Sequence, residues 1–314
     1  MAGDRHYEMS TSSREKLWLA ISPGLFVLLW SSGFIGAKFG LPYAEPLTFL
    51  LVRFACVIVL LLILALALRR PWPHTPARWG HIAVAGILLH AGYLSGVFLA
   101  IHRGMPAGIV SVIVGVQPLL TAFISARLLG ERLAGRQWLG LVLGFAGILL
   151  VLWNRLALTG ASGAGLGFCI MALFSITLGT VYQKRHCAEL DIWSGSVIQF
   201  VAAGLVLTPF ALASETMAIV WSGEFVFALA WLILVLSLGA ISLLHLLIRR
   251  GAATRVSALF YLVPPGTALL AFLFLGERLG PLALIGMALA ASGVAMAVHP
   301  GQARSAAADK SPKN

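Results

Sequence analysis

A histidine lies in the middle of an apolar stretch, where its imidazole could carry a proton. His90 is about halfway along residues 79–101, and Tyr93 follows three positions later, which places both side chains on one face of a helix. An imidazole titrates near neutral pH, so a buried histidine can take up and release a proton. His90 is therefore a candidate for proton coupling, and the alternative is that it only hydrogen-bonds a neighbouring helix. His245, close to a pair of arginines, is a weaker candidate.

Three basic side chains lie within or at the ends of apolar stretches. Arg53 falls about two turns into residues 46–68, which contain no acidic residue, and an unpaired guanidinium in a bilayer costs about 3 kcal/mol or more. We expect Glu45, helix-end carbonyls or lipid phosphate to satisfy Arg53, and we favour a structural role for it. Lys38 and Lys184 close their stretches, where a lysine can extend to the interface as an anchor. The alternatives are a substrate or coupling role for Lys38 and a gating role for the pair.

Prolines interrupt two apolar stretches at matching places. Residues 105–127 contain Pro118, and residues 254–275 contain Pro264 and Pro265. A proline inside a helix removes a backbone hydrogen bond and kinks the helix. In a bilayer the freed carbonyls are tolerated only against protein or a water-filled cavity. We therefore expect both interruptions to line a cavity, with kinks that serve only curvature as the alternative.

The elements that carry these residues are predicted membrane spans. Hydrophobic residues make up 60% of the 314 residues and charged residues 11%, against roughly 45–50% and 25% in a soluble domain. Most of the apolar stretches are close to the roughly 20 residues that a helix needs to cross a bilayer. The sequence predicts an all-α integral membrane protein with ten transmembrane helices, at 18–40, 46–68, 79–101, 105–127, 136–153, 163–183, 191–213, 224–248, 254–275 and 280–298.

The ten predicted spans form two related halves. Residues 118–133 and 264–279 match at a shift of 146 positions and end in the same Leu-Gly-Glu-Arg-Leu. Each half holds five spans, and an odd number makes the second half enter the membrane in the opposite direction, so we predict two inverted five-helix repeats. The predicted segments are a cytoplasmic N-terminal segment 1–16, a first repeat 17–158, a second repeat 159–298 and a disordered cytoplasmic tail 299–314.

The same shift recurs along both halves. It pairs Phe54 with Phe200 and Gly140 with Gly286, among other positions. One repair is needed, because the Arg-Gly that follows the third predicted span aligns only at a shift of 147. This predicts a slip of one residue before the shared prolines.

Basic residues are distributed unevenly between the two sides. With a cytoplasmic N-terminus, 17 of the 22 Lys and Arg residues lie on the inner side and four on the outer side, with Arg53 inside a span. This bias favours cytoplasmic N- and C-termini. The net charge of +11 is spread over these loops, so we expect no nucleic-acid partner.

Patterns for other kinds of chemistry are missing from the sequence. Cys56, Cys169 and Cys187 show no CxxC spacing, so we expect neither a disulfide framework nor a metal site. There is no P-loop for ATP, no His-Glu-x-x-His and no Gly-x-Ser-x-Gly. We expect no cofactor, and any coupling would use protons or a counter-substrate because acidic residues are absent from the interior of the spans.

Several motifs together carry a family resemblance. They are the opening Trp30-Ser-Ser-Gly-Phe-Ile-Gly-Ala-Lys38, the Glu45-Pro46 that leads to Arg53-Phe54, and a Gly-Glu-Arg after the fourth span of each half. In this pattern the chain resembles the EamA family of the drug/metabolite transporter superfamily over roughly residues 20–298. The resemblance implies a transporter, most often an exporter of amino acids or related metabolites, in a bacterial inner membrane.

The resemblance also implies which residues lie near the transport path. In this family spans one, three, four, six, eight and nine surround a central cavity. Carried over to this sequence, the substrate-binding candidates are Trp30, Ser31, Tyr93, Gln117, Thr177, Thr180 and Tyr261, with His90 and His245 as coupling candidates. Arg53 has the neutral Gln199 at its repeat position, which argues against a two-fold symmetric role for its charge.

The predicted function is secondary-active transport by alternating access, exporting amino acids, related small metabolites or drugs. One alternative is a nucleotide-sugar or sugar-phosphate carrier of the same superfamily, for which we would expect more basic residues within the spans. A less favoured alternative is an intramembrane lipid-modifying enzyme that uses His90 and Arg53. The expected partners are a small-molecule substrate and the lipid bilayer. Glycines of the fifth and tenth spans, such as Gly140 and Gly144, suit helix packing or a homodimer interface.

Overall fold

The fold is described here from a computed structural model, which covers residues 13–129, 135–159, 163–187, 190–240, 243, 260–277 and 280–298. Nearly all of this backbone is helical, and within it the only β-type contact is an isolated bridge between Ala44 and Ile219. The predicted all-α architecture is therefore confirmed.

The helices follow one another with short connections, and two of them continue as π-helical segments, named π1 and π2. The first half contains α1 Ser13–Gly40, α2 Pro46–Ala67, α3 Pro76–Gly86, π1 Ile87–Gly92, α4 Tyr93–His102, α5 Ala107–Val114, α6 Gln117–Leu129 and α7 Gly135–Thr159. The second half contains α8 Gly163–His186, α9 Ile192–Ser214, α10 Gly223–Ala230, π2 Trp231–Ala240, a 3-10 turn Phe260–Leu262, α11 Val263–Leu275 and α12 Pro281–Val298.

The length and surface of these helices are those of a multi-pass membrane protein. Large apolar side chains are exposed on their outer faces, as at Leu205 (71% exposed) and Phe227 (63%), which suits contact with lipid rather than water. Among the described residues, six segments are long and apolar enough to cross a bilayer, and four shorter apolar helices accompany them. The full count of ten spans stays a prediction. The six are Ile21–Gly40, Pro46–Ala67, Pro76–His102, Gly163–His186, Ile192–Ser214 and Gly223–Ala240.

The last helices of the two halves cross at glycines. A Cβ on Gly147 of α7 would lie 2.5 Å from the carbonyl oxygen of Gly286, and a Cβ on Gly293 of α12 would lie 2.5 Å from that of Gly140. Gly147 and Gly293 are 146 positions apart, as are Gly140 and Gly286, so the same contact occurs twice in opposite directions. These glycines therefore pack two helices of one chain, rather than forming the subunit interface that was one expectation for them.

The second helices of the two halves run antiparallel, and hydrogen bonds join them at both ends. Glu215, just beyond α9, accepts hydrogen bonds from the backbone N–H groups of Leu47 (2.8 Å) and Thr48 (2.7 Å) in the first turn of α2. At the opposite ends of these helices, Ser194 Oγ in the first turn of α9 donates to the carbonyl of Pro71 (2.7 Å), just beyond α2. Thr48 and Ser194 are 146 positions apart, so equivalent turns make reciprocal contacts, as an inverted repeat requires.

The predicted slip of one residue lies between the second and third helices of each half. Thr75 Oγ1 caps α3 by accepting from Arg78 N, and Ser222 Oγ caps α10 by accepting from Phe225 N. These two caps are 147 positions apart, whereas Thr48 and Ser194 are 146 apart. The extra residue therefore lies in the loop before α10. With the resulting shift of 147 positions, π1 and π2 occupy equivalent positions in the two halves.

Candidate functional site

A cavity of about 230 Å³ lies between the two halves, where it can be reached by side chains from both. Its walls are mostly apolar, with a few polar groups, which is the usual composition of a small-molecule site. Helices from each half line it, through Trp30, Arg53 and His90 from the first half and Phe200 and Ser237 from the second. Tyr93 also lines it.

Two polar contacts on the cavity wall are related by the repeat. Arg53 Nη2 donates to Ser237 Oγ at 3.3 Å, and His90 Nε2 lies 3.3 Å from Gln199 Oε1. Arg53 and Gln199 are 146 positions apart, and His90 and Ser237 are 147 apart, the shift that applies to the third helices. Equivalent contacts therefore join α2 to π2 and α9 to π1. The side chain from α2 is a cation, and the side chain from α9 is a neutral amide.

The π segments bring His90 and Ser237 to the cavity, and glycines on α8 and α1 allow these segments to pack closely against those helices. A Cβ on Gly33 of α1 would lie 2.8 Å from Leu236 Cδ2 in π2, and a Cβ on Gly179 of α8 would lie 2.8 Å from Leu89 Cδ2 in π1. Gly33 and Gly179 are also equivalent positions. π-helical turns inside longer helices are frequent at functional sites, because they shift the following side chains around the helix axis.

The His90 ring is held by its stacking and by a chain of amides. It stacks on Phe200 with ring centroids 4.0 Å apart and planes 17° apart, and Phe200 meets its own repeat equivalent, Phe54, at 5.2 Å. Gln199 Nε2 donates to Gln183 Oε1 (3.2 Å), which leaves Gln199 Oε1 to accept from His90 Nε2. In this assignment Nε2 carries its hydrogen whether or not the ring is charged.

The Arg53 guanidinium is buried beside the cavity. The residue is only 4% exposed, and its Nε has no hydrogen-bond partner among the described residues. Glu45, one of the partners expected for it, instead accepts hydrogen bonds from the backbone N–H (2.6 Å) and hydroxyl (2.7 Å) of Thr216. Ser237 was missed as a partner by sequence reasoning, although its place at the repeat position of His90 was a signal that could have identified it.

Two of the predicted binding residues meet outside this cavity. Gln117 Nε2 donates to Thr180 Oγ1 (3.2 Å) and to Thr121 Oγ1 (3.1 Å), which joins the start of α6 to α8. Two other predicted residues donate their hydroxyls to backbone carbonyls, Ser31 to Val263 and Thr177 to Leu173. Tyr261 contributes a backbone position in the 3-10 turn, and its side chain, like the whole of His245, lies outside the described residues.

The predicted prolines start helices rather than lie inside them. α5 ends at Val114, and Pro118 is the second residue of α6 after the break. Pro264 and Pro265 lie in the first turn of α11, directly after the 3-10 turn. A proline at the start of a helix sacrifices no backbone hydrogen bond. Both stretches are thus interrupted, and at the second interruption the carbonyl of Val263 accepts the hydroxyl of Ser31.

The two lysines lie at opposite ends of the helix bundle. Lys38 Nζ lies 3.8 Å from Glu277 Oε1, and the same oxygen accepts a hydrogen bond from Ala107 N (3.2 Å) at the start of α5. Glu277 belongs to the second half and its two partners to the first, so this contact joins the halves. Lys184, the repeat equivalent of Lys38, is exposed at the end of α8.

Two larger cavities lie away from this site. One, of about 590 Å³, is at the ends of α2, α3, α8 and α9 and is lined by basic and polar residues such as Arg78 and Arg185. The other, of about 450 Å³, is an apolar groove between α1, α10 and α11, and its lining includes exposed side chains such as Phe227 and Phe274. The central cavity is the candidate site because it combines buried polar groups with walls from both repeats.

Comparison with known proteins gives the family. The sequence profile of the EamA-like transporter family matches the chain twice, over residues 18–153 and 163–298. The chain belongs to this family. Membership of the EamA family, predicted from the motifs, is therefore confirmed, and with it the transporter class.

Relatives of this EamA chain match it over most of their length. The transporter YvbV of Bacillus subtilis is 27% identical over 306 residues, which cover 92% of this chain and 94% of that protein. A protein of Escherichia coli named "Probable amino-acid metabolite efflux pump" is 28% identical, with 86% and 91% covered. The inner membrane transporter YedA of Escherichia coli is 30% identical, with 83% and 85% covered.

A solved crystal structure has the same fold. It superposes with a TM-score of 0.60 at 21% sequence identity and covers 88% of this chain and 95% of that chain.

Proposed function

We propose that this EamA protein is a secondary-active exporter of small amphipathic metabolites, amino acids and related compounds among them. The observation that carries the proposal is the cavity between the inverted halves, with two polar contacts related by the repeat. The name of the Escherichia coli efflux pump supports the substrate class and the direction. The relative YedA supports a bacterial inner membrane, and the bias of basic residues supports cytoplasmic termini.

Alternating access follows from the inverted repeat. When two halves have the same fold in opposite orientations, exchanging their conformations opens the site to the opposite side. In the proposed orientation the contact of Lys38 and Ala107 with Glu277 closes the outer end. The exchanged state would use the repeat equivalents Lys184 and Glu131 at the inner end.

The size of the cavity favours a small substrate. Its volume of about 230 Å³ is just below the roughly 300–1,000 Å³ of pockets for drug-sized ligands. Such a cavity suits a metabolite of amino-acid size. A nucleotide sugar is much larger and carries several negative charges, whereas the described cavity lining includes one permanent cation, Arg53.

His90 is the residue that we propose for proton coupling. Its partner Gln199 is neutral, and Arg53 already contributes a positive charge to the same cavity. A protonated His90 and a cationic group of the substrate would repel each other there, so the two compete for the site. By linkage each weakens the binding of the other, which is what exchange of an outgoing substrate for an incoming proton requires.

The test uses purified protein in liposomes that contain a pH-sensitive dye, with a panel of amino acids and amphipathic amines. We compare wild type with His90→Ala and with the control His102→Ala, an exposed histidine at the end of α4. We expect substrate-dependent proton movement in wild type and the control, and none in His90→Ala. Substrate flux without a proton signal, unchanged by His90→Ala, would refute the coupling step but not transport. An absence of flux for the whole panel would refute the exporter proposal.

A further inference from the structure

The Arg53 guanidinium has donors left over beside the cavity. It carries five N–H donors, and the structure shows one hydrogen bond, from Nη2 to Ser237 Oγ. Ser237 Oγ itself donates to the carbonyl of Leu232 (3.1 Å), which leaves its lone pairs for Arg53 and fixes it as an acceptor. Nε is without a partner among the described residues.

Within the described part of the chain, no carboxylate is placed to balance this charge. The acidic residues that the structure describes all lie in loops or in the first turn of a helix; they are Glu15, Glu45, Asp191, Glu215, Glu224 and Glu277. None of the described lining residues of the cavity is acidic, and the sequence contains no acidic residue between Ser222 and Phe260 other than Glu224 in the first turn of α10. An uncompensated buried cation is costly, so its presence requires a reason beyond folding.

The second half shows that the fold does not need a charge at this position. Gln199 occupies the equivalent place on α9 and makes the equivalent contact to a π segment with a neutral amide. A structural role would thus be served by glutamine at Arg53 as well. What arginine adds is a fixed positive charge and a planar set of donors, facing a cavity whose remaining walls are largely apolar.

We infer that Arg53, positioned by Ser237, is the subsite for the carboxylate of the transported metabolite. This inference rests on the proposed function and names the substrate class: small amphipathic amino acids, whose carboxylate binds Arg53 and whose amine carries the charge that competes with a proton on His90. A guanidinium binds a carboxylate through parallel N–H···O bonds, which fixes the orientation of the ligand as well as its charge. The apolar part then packs on walls such as Phe34 and Phe98, and the asymmetry between Arg53 and Gln199 gives a symmetric fold a site with one polar end.

The experiment measures binding to the purified full chain by the rise in its melting temperature with ligand concentration. Three ligand sets keep the apolar part constant: alanine, propionate and ethylamine; leucine, 4-methylpentanoate and isopentylamine; phenylalanine, 3-phenylpropionate and phenethylamine. The variants are Arg53→Gln, which copies Gln199, and the control Arg70→Gln, an exposed arginine just beyond the end of α2. Each is measured in detergent and in lipid nanodiscs, so that a lipid phosphate at Arg53 would show as carboxylate binding in detergent alone.

We expect at least one set in which the acid-bearing ligands bind wild type and Arg70→Gln in both media while the amine alone does not. Arg53→Gln should weaken that binding at least tenfold, because a hydrogen bond to a charged group is lost. The melting temperature of ligand-free Arg53→Gln should equal or exceed that of wild type, since an uncompensated charge is removed.

Several outcomes would overturn the inference. The inference would be wrong if acids and amines bound equally, if acid binding were unchanged in Arg53→Gln, or if acids bound in detergent only or not at all. It would also be wrong if the Arg53→Gln chain melted well below wild type or failed to fold, because that would indicate a structural role. Failure of the proposed function looks different. Acid binding without flux in liposomes would refute the proposal of an exporter but not the proposed carboxylate subsite. Flux of amines that Arg53→Gln leaves unaffected would refute the subsite but not the exporter.

Discussion

At the scale of single residues, charged groups at helix ends can find hydrogen-bond partners, whereas Arg53 in the cavity has no partner of opposite charge among the described residues. Glu45 and Glu215 illustrate the first case. Each carboxylate accepts hydrogen bonds from the segment on the other half, Glu215 from the start of α2 and Glu45 from Thr216. These bonds fasten equivalent helices at the end of the bundle where α2 begins.

Glu45 gives a pH-dependent prediction. Hydrogen bonds from Thr216, chiefly from its hydroxyl, lower the pKa of the Glu45 carboxyl below its ordinary value in the folded chain. Its contribution to stability is therefore full above the ordinary carboxyl pKa of about 4.3 and is lost as the pH falls through the lowered value. We expect Glu45→Gln to lower the melting temperature near neutral pH, with the difference from wild type shrinking as the pH falls below about 4.

The measurement is a series of melting curves between neutral and acidic pH, with the exposed Glu224→Gln as the control. A difference that stays constant with pH would contradict the assignment of this carboxylate as the hydrogen-bond acceptor for Thr216.

At the scale of helices, close approach depends on positions without a side chain. α7 and α12 touch backbone to backbone at Gly147 and Gly293, and α1 and α8 approach the π segments at Gly33 and Gly179. In a bilayer, apolar burial adds little between helices, so van der Waals contact of this kind supplies much of the packing energy.

Alanine at the α7–α12 crossing tests this packing. A Cβ at position 147 would meet the backbone of Gly286 and Ala290 at 2.5 Å, and backbone atoms cannot rotate away. We expect Gly147→Ala to destabilise the chain by about 1–3 kcal/mol, and Gly293→Ala by a similar amount because the contact is equivalent.

Gly204→Ala on α9 is the matched control, since a Cβ there meets nothing within 4 Å. That variant should be neutral or stabilising by up to about 1 kcal/mol through helix propensity. Urea unfolding in mild detergent compares the three variants, and a Gly147→Ala chain as stable as the control would show that the crossing is looser than the structure has it.

At the scale of the whole molecule, the inverted repeat relates the two ends of the bundle. Lys38 and Glu277 form a partly exposed ion pair between the halves at one end. Their repeat equivalents, Lys184 and Glu131, belong by sequence to the opposite end, and Glu131 lies outside the described residues. In alternating access one of the two pairs should form as the other breaks.

Removing one pair should therefore shift the population of the two states. A partly exposed ion pair is worth up to about 1 kcal/mol, and 1 kcal/mol changes an equilibrium ratio about fivefold. With Leu94→Cys as a reporter in the cavity, on a chain whose three native cysteines are replaced by alanine, we expect Glu277→Gln to raise labelling by an impermeant thiol reagent from outside several-fold.

Glu131→Gln should lower the same labelling rate. Changes of the same sign in both variants would contradict an exchange between the two ends, and Glu224→Gln serves as a control for the removal of an acidic side chain outside either pair.

The amino-acid sequence alone determined the class of the protein and its internal symmetry. Composition and the length of the apolar stretches give an all-α membrane protein, because a bilayer admits little else, and the motifs give the EamA family. The shift of 146 positions also identified Gly140 and Gly286, which the structure uses in equivalent contacts. The segment boundaries and the roles of the site residues stay predictions.

Only the tertiary structure decided which polar residues share the cavity. Arg53 and Ser237 are 184 positions apart, and neither helical periodicity nor proline spacing predicts that a π turn carries Ser237 to the guanidinium. For the same reason, Gln117 and Thr180 form a hydrogen bond with each other outside the cavity that His90 lines, and the hydroxyls of Ser31 and Thr177 donate to backbone carbonyls. From the sequence alone, the neutral Gln199 argued against a symmetric role for the charge of Arg53. The structure shows that the contacts are symmetric although the charges are not, because hydrogen-bond geometry follows the backbone and charge follows the side chain.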